Sequence, residues 1–485
     1  MNQEKQADKT VLLTLEEIHK AARGRVLCEF GSNEILGFEY DSRKCKEGCC
    51  FLALPGENTD GHRFLESAFQ KGAVLGLVSM LYAQDHEAEL LRLGENYRCS
   101  IVVVDDVLMA LHDCARYYLA KFPDLVKIGI TGSNGKTTTK EIIASILSTE
   151  APTVMTPGNY NSEIGLPLSI FLIREEHRYA VFEMGMNHPG EMDLLADTLK
   201  PDLAVITNIG TAHIGFMGTQ DNIAAEKKKI FKHFKGRQRA YICEDEPYLS
   251  FLSENVQGEI VFFGQKTSRG VTQVKDLGLD GYAVDWEDLQ VLFPLLGRYN
   301  LNNALAGLTL AMDLGYKKEN IKKGLEQFKP LFGRSQIERG KITLLVDCYN
   351  ANLDSVKKVL SFVSSLVWDG QKILVLGSMF ELGEKSHLIH QELGEELAGT
   401  SHDRLFLFGK EMESAFRSFM ALAPDAHIYF THDYQDLEKQ ILAILEPGDF
   451  VLLKGSRGVA LERLVPALKL YESRGPLCST NSCTH

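Results

Sequence analysis

Long apolar runs are missing from this 485-residue chain. No uncharged stretch approaches the roughly 18–20 residues that span a bilayer, so a membrane helix is not expected. Positive charge is in deficit: 52 Lys and Arg stand against 65 Asp and Glu, a net charge of -13. That balance disfavours broad nucleic-acid or anionic-membrane binding and leaves only local basic pockets for phosphates. Paired metal-binding cysteines are lacking as well. The 10 cysteines are scattered, Cys45, Cys49 and Cys50 form the only cluster, and no second Cys/His pair follows at zinc-site spacing. Reduced, chemically quiet thiols are expected. Repeats and low-complexity segments are absent, and residues 1–10 are polar with no apolar signal core. These absences lead to the expectation of a cytoplasmic protein without nucleic-acid or membrane partners, working as a monomer.

What is present is ordinary for a globular enzyme, 45% hydrophobic and 24% charged. The length is too great for one core, and two to four domains are expected. Three blocks emerge. The first, 1–105, alternates short strands and helices and ends in an apolar strand over 101–104. The second, 106–333, opens with a helix near 107–118, carries strands over 179–183 and 203–207, and closes with a helix near 301–314 and the segment 329–333. In the third, 334–485, the apolar runs 342–346, 372–376, 405–408 and 450–453 are separated by helical stretches. Such alternation predicts parallel, helix-flanked sheets, and the fold class is α/β. The Ser-, Thr-, Asn- and Gly-rich segment 472–485 is expected to be a loose tail.

The most informative string is Thr131-Gly132-Ser133-Asn134-Gly135-Lys136-Thr137-Thr138-Thr139, directly after the apolar run 125–130. It reads as a strand, a glycine loop and then a helix over 140–147. Gly132 and Gly135 let backbone N–H groups close around phosphate oxygens. Lys136 supplies a point charge for β/γ-phosphates, the Thr137 hydroxyl suits a magnesium ion, and a helix N-terminus adds its dipole. A first glycine at position 130 is replaced by Ile130, so the match is to a shorter form of the phosphate loop. A nucleoside triphosphate is the expected ligand.

Other chemistry-bearing residues stand at strand ends, where ligands of open α/β sheets bind. Glu183 ends one strand and is a magnesium-ligand candidate, the alternative being a solvated carboxylate. His213 follows the next strand in a glycine-bounded loop, as a metal ligand or a plain polar residue. On the helix after it, Ile223, Ala224, Lys227, Ile230 and Phe231 share one face. Lys227 therefore points inward, while Lys228 and Lys229 are expected in solvent. Burial lowers a lysine's pKa, and a neutral amine can take up carbon dioxide as a carbamate, an anionic oxygen ligand. The alternative is a lysine that snorkels its amine to the surface. Asp347 ends the strand over 342–346, and Arg334, Lys454 and Arg457 offer cations for phosphates or carboxylates.

Together, 132–138, Glu183, His213 with Lys227, Asn300 with Asn303, Arg334 and Asp347 resemble the Mur ligases, ATP-dependent amide-forming enzymes of peptidoglycan precursor synthesis. Within that family, the strings 158–161, 183–188, 347–352, 381–383 and 454–457 resemble the branch that adds D-alanyl-D-alanine to UDP-N-acetylmuramoyl-tripeptide. The strings 41–43, 51–56 and 60–62 look like its UDP-binding N-terminal domain. Ser378, Leu353, Tyr299 and Gly458 depart from the family's frequent Asp, Pro, His and Ser.

The resemblance implies a three-domain fold: a UDP-substrate domain, a central phosphate-loop ATPase-like domain and a C-terminal Rossmann-like domain. It implies that ATP contacts Gly132, Ser133, Asn134, Gly135, Lys136, Thr137, Thr138, Thr139, Asn300, Asn303, Arg334 and Asp347. It implies two magnesium ions, one on Thr137 and Glu183, the other on His213 and carbamylated Lys227. Lys136, Glu183, His213 and Lys227 would be catalytic, and Ser42, Arg43, Asn159, Asn161, His188, Asn350, Lys454 and Arg457 would contact substrates. Rival readings are the tripeptide-forming Mur ligase and a folylpolyglutamate synthetase. The diaminopimelate-type members of the first carry Asp-Asn-Pro-Arg in the last domain, a string absent here, and the second lacks a block like 1–105. A regulatory nucleotide switch would need the phosphate loop but not the second metal pair.

Overall fold

The computed structural model describes residues 10–56 and 59–474. The expected tail begins inside a helix, Leu464–Arg474, so 472–474 are helical rather than loose. Its remainder, 475–485, and the polar start over 1–9 lie outside the described residues.

Among the described residues, strands gather into three larger sheets and two small ones. The N-terminal sheet runs Arg25–Cys28, Ser100–Val104, Ala73–Ser79, Cys49–Leu52, Gly37–Glu39, parallel except at its first pair. The central sheet runs Glu259–Phe263, Arg239–Cys243, Leu203–Ile206, Val126–Thr131, Tyr179–Glu183, Thr153–Met155, parallel throughout. The third runs Gln336–Arg339, Thr343–Asp347, Phe450–Lys454, Lys372–Gly377, Arg404–Phe408, Ile428–Thr431, with only its first strand antiparallel. The chain is thus a three-domain α/β protein. An antiparallel sheet of Val271–Asp276, Tyr282–Trp286 and Leu289–Phe293, not anticipated from sequence, lies between the central and third sheets in the chain.

The central strands are apolar on both faces because helices cover both. Ile128, Ile130, Val181 and Val205 face one core, while Ala180, Phe182, Ala204 and Ile206 face the other. That second core does not stop at the central sheet. It continues through Leu111 and Ala115 of the helix Val107–Leu119 to Leu13, Ile35 and Leu75 of the N-terminal domain. Phe38 stacks on Phe171 with centroids 4.1 Å apart across that boundary.

Register then places the functional ends. Val126–Thr131 lies between Leu203–Ile206 and Tyr179–Glu183, and Glu183 pairs with Ile130, just before the glycine loop. The helix after the loop spans Lys136–Leu147, beginning earlier than the expected 140. Thr139 already donates to the Gly135 carbonyl at 2.9 Å, so the three threonines belong to its first turn.

Candidate active site

The carboxyl ends of the central strands face a cavity of about 430 Å³, closed on its other side by residues of the third domain. The glycine loop forms its floor. A Cβ on Gly132 would fall 1.9 Å from Thr207 Oγ1, and one on Gly135, at φ +81°, would fall 2.7 Å from Asn303 Oδ1. Asn303 donates to Asn300 Oδ1 at 3.2 Å, and Asn300 donates to the Leu296 carbonyl at 2.8 Å. The two asparagines therefore brace the loop from behind, and Asn300 also lines the cavity. Lys136 Nζ donates to the Gly132 carbonyl at 2.8 Å. Burial holds its pKa below the usual lysine value, and Glu183 opposes that shift.

Glu183 is fully engaged. Thr137 Oγ1 donates to its Oε2 at 2.7 Å and Asn161 Nδ2 donates to its Oε1 at 2.6 Å. From the third domain, Arg334 Nη2 donates to Thr137 Oγ1 at 2.9 Å. Arg334 lies 3.7 Å over the Tyr349 ring, and Arg457 lies 5.2 Å from the same ring. Asp347 accepts from the Ser335 N–H at 3.0 Å and pairs with Lys454 Nζ at 3.0 Å, and Lys454 also donates to the Asn350 carbonyl at 2.7 Å.

His213 stands at φ +64°, with Nδ1 3.1 Å from Glu381 Oε2 of the third domain, an ion-pair contact that lacks hydrogen-bond geometry. Burial lowers the His213 pKa, with smaller contributions from the charges of Lys136 and Lys227, so the ring is neutral at pH 7. Lys227 is 0% exposed, and its amine has no hydrogen-bond partner. Burial, helped by the Lys136 charge and opposed by Glu226, drives its pKa far below the ordinary value. The inward direction expected of Lys227 is therefore found. Its neighbours are not simply solvated: Lys228 donates to the Phe251 carbonyl at 2.6 Å, and Lys229 pairs with Asp193 and Glu226 at 2.7 Å each. The helix Gln220–Lys228 continues into a 3₁₀ turn over Lys229–Phe231.

Among the described residues, no three His, Cys, Asp or Glu side chains gather as a ready metal cage. The Thr137–Glu183 and His213–Lys227 pairs offer few ligands each. A buried amine without a hydrogen-bond partner, its pKa pushed down by burial and electrostatically coupled to His213, nonetheless fits a site completed by carbamylation of Lys227 and by anionic substrates.

Most of the expected residues meet here: Ser133 to Thr138, Asn159, Asn161, Glu183, His213, Asn300, Arg334, Asp347, Asn350 and Lys454 line the cavity. Gly132, Thr139, Asn303 and Lys227 are not among its lining residues, and Arg457 flanks Tyr349. His188 packs at a tilt against Phe216, with ring centroids 4.6 Å apart, next to the lining residue Asn187. Ser42 and Arg43 stay in the N-terminal domain, outside this cavity. Ser42 is buried, and the Arg43 side chain, 84% exposed, forks onto Asp41.

Sequence reasoning gave no role to Glu381 and missed the seam beside it. Asn352 Nδ2 donates to Asn134 Oδ1 at 2.9 Å, and Asp354 Oδ2 accepts from Thr211 N and Oγ1 at 2.6 and 2.8 Å. Asn352 and Glu381 stood in strings carrying the resemblance, which was a signal. Asp354 carried none beyond its place in the first turn of the helix Leu353–Ser365.

Such an arrangement defines an α/β enzyme class in which a phosphate-loop domain works against a separately docked domain that brings further cations to the same cavity. Residues 34–114 match the Mur ligase family catalytic domain, 130–311 the Mur ligase middle domain and 333–457 the Mur ligase glutamate ligase domain. The chain is 40% identical over 460 residues to the UDP-N-acetylmuramoyl-tripeptide--D-alanyl-D-alanine ligase of Treponema pallidum, covering 95% of this chain and 99% of that relative. It superposes on the crystal structure of MurF from Acinetobacter baumannii with a TM-score of 0.83 at 30% identity, over 94% of this chain and 98% of the other. It also superposes on MurF ligase from Thermotoga maritima, solved in complex with ADP, with a TM-score of 0.76 at 28% identity, over 90% and 98%. The chain belongs to the Mur ligase family.

Proposed function

We propose that this enzyme joins D-alanyl-D-alanine to UDP-N-acetylmuramoyl-tripeptide, consuming ATP and releasing ADP and phosphate through an acyl-phosphate intermediate. The observation that carries this reading is the cavity itself: a phosphate loop whose Thr137 is reached by Arg334 from the opposite domain. The near full-length likeness to ligases of that name supports the choice of substrates.

In this reading ATP lies along 132–139, braced by Asn300 and Asn303, with Lys136 on its phosphates and Arg334 and Asp347 closing from the third domain. Lys136 and Arg334 stabilise charge on the transferring phosphoryl group. Two magnesium ions, one at Thr137 and Glu183 and one at His213 and carbamylated Lys227, would neutralise the crowded anions. Carbamylation joins the neutral Lys227 amine to carbon dioxide and releases one proton. Ser42 and Arg43 hold the UDP end, while Asn159, Asn161, His188, Asn350, Lys454 and Arg457 surround the peptide and the incoming dipeptide. The domain limits 1–105, 106–333 and 334–485, a cytoplasmic setting and a monomer complete the reading.

The test is ADP release against a substrate panel. Turnover is expected only with UDP-N-acetylmuramoyl-tripeptide and D-alanyl-D-alanine together. Turnover with the UDP-dipeptide and lysine or diaminopimelate would establish the tripeptide-forming alternative instead. Turnover with a folate and glutamate would point to a folylpolyglutamate synthetase.

A further inference from the structure

The loop after the strand Lys372–Gly377 docks on the turn that carries His213, and three observations describe how. The fit is backbone on backbone: a Cβ on Gly215 would fall 2.8 Å from Gly383 N and 2.9 Å from the Glu381 carbonyl. Lys385 Nζ donates across the seam to the Gly218 carbonyl at 2.6 Å. The facing residues are both non-glycine residues at φ +64°, His213 and Glu381, and their side chains meet at 3.1 Å. Left-handed backbone at an ordinary residue persists only where its surroundings impose it, and it concentrates at ligand clamps. Both side chains also line the cavity.

We propose that Glu381 is a positioning residue: its carboxylate, 3.1 Å from His213 Nδ1, favours the proton on that nitrogen by charge, so that Nε2 is the nitrogen offered to a divalent cation, and it does so only while the third domain is docked. A carboxylate on the far nitrogen is the general means by which a ligating histidine is given its tautomer and ring orientation. Here the carboxylate and the histidine belong to different domains. Readiness of the cation site is thereby tied to domain docking, before chemistry begins. The inference rests on the reading of His213 as a cation ligand given above.

Two measurements on the full-length protein test it. In metal-free enzyme labelled with ¹⁵N-histidine, the His213 signals, identified by their loss in His213→Gln, should show the Nδ1–H tautomer. Glu381→Ala should shift them toward a tautomer mixture, and so should Glu381→Gln, which keeps an acceptor but loses the charge. Gly215→Val, which forces the loops apart but keeps the carboxylate, should reproduce the Glu381→Ala spectrum. Mn²⁺ binding in the presence of a non-hydrolysable ATP analogue should reveal two sites, the weaker of them loosened by about 10–100-fold in Glu381→Ala. His213 signals or Mn²⁺ affinity unchanged in Glu381→Ala would overturn the proposal while leaving the cation reading intact. Retention of both Mn²⁺ ions by His213→Gln would instead overturn that reading.

Discussion

Replacing Lys227 by methionine should make this enzyme sturdier and inactive at once. The methionine chain has similar length, and the site is fully buried, so packing is largely kept. What disappears is an amine with no hydrogen-bond partner. Burying such a group costs about 1–3 kcal/mol by mutational measures, and Lys227→Met should recover an amount of that order in metal-free, bicarbonate-free buffer. For a domain of 150–250 residues that is about 2–4 °C in Tm per kcal/mol. The gain should also depend on pH. Because the folded-state pKa of Lys227 is depressed below 10.5, the unfolded chain binds one more proton between the two values. Wild-type stability therefore rises with pH across that window and falls as pH drops through it, and the methionine variant lacks this slope. Calorimetry from pH 7 to 10 reads both effects. Ligation should fall by at least about 10²-fold, on the scale of losing one transition-state charge contact. Lys228→Met, which removes a bond to the Phe251 carbonyl and a cation–π contact with its ring, should be mild in both assays. A methionine variant that is less stable than wild type, or that ligates normally, would refute the reasoning.

Three further outcomes are expected. Lys136→Ala should lose about 10²–10³-fold in ligation rate while its circular dichroism stays that of wild type, because the charge matters mainly when phosphates are present. Arg43→Ala should leave stability unchanged but raise KM for the UDP-peptide far more than KM for ATP; equal rises would remove Arg43 from the UDP site. Asp354→Ala deletes the acceptor for Thr211 N and Oγ1, and small-angle scattering of the ligand-free variant should show a larger radius of gyration.

How much of this was legible beforehand varied with the physics of each element. The strand Tyr179–Glu183 could be read to the residue, because a strand buried on both faces must be continuously apolar until its functional end. Lys227 could be placed inward because Ile223, Ala224, Ile230 and Phe231 form its stripe. The stripe could not show that Lys228 and Lys229 find partners of their own in Phe251, Asp193 and Glu226. The hairpins over Val271–Phe293 escaped notice because the strand Val271–Asp276 is mostly polar and exposed and the exposed Leu292 breaks the apolar alternation of the last strand. Glu381 and Asp354 escaped for a different reason: their partners lie more than 140 residues away in sequence, and a seam between domains leaves no period in either strand of text. Arg43 was expected among the substrate ligands on the strength of its string alone, and its fork onto Asp41 in the N-terminal domain shows how little a motif says about distance from the main cavity.

The apolar core that runs unbroken from Leu13 through the helix Val107–Leu119 to the central sheet has an implication for how such a chain can be taken apart. A cut near residue 105 would strip Leu75, Val102 and Val104 from Leu111 and Ala115, and neither fragment would keep a closed interior. The seam with the third domain is more polar: Arg334, Asn352, Asp354, Glu381 and Lys385 meet it with polar groups, and among the described buried core residues only Leu296 of the central domain joins the third domain's apolar core. Exchange of segments between related ligases should therefore be better tolerated at residue 333 than at residue 105. In the sense that matters for recombination, this three-domain enzyme is made of two transferable pieces.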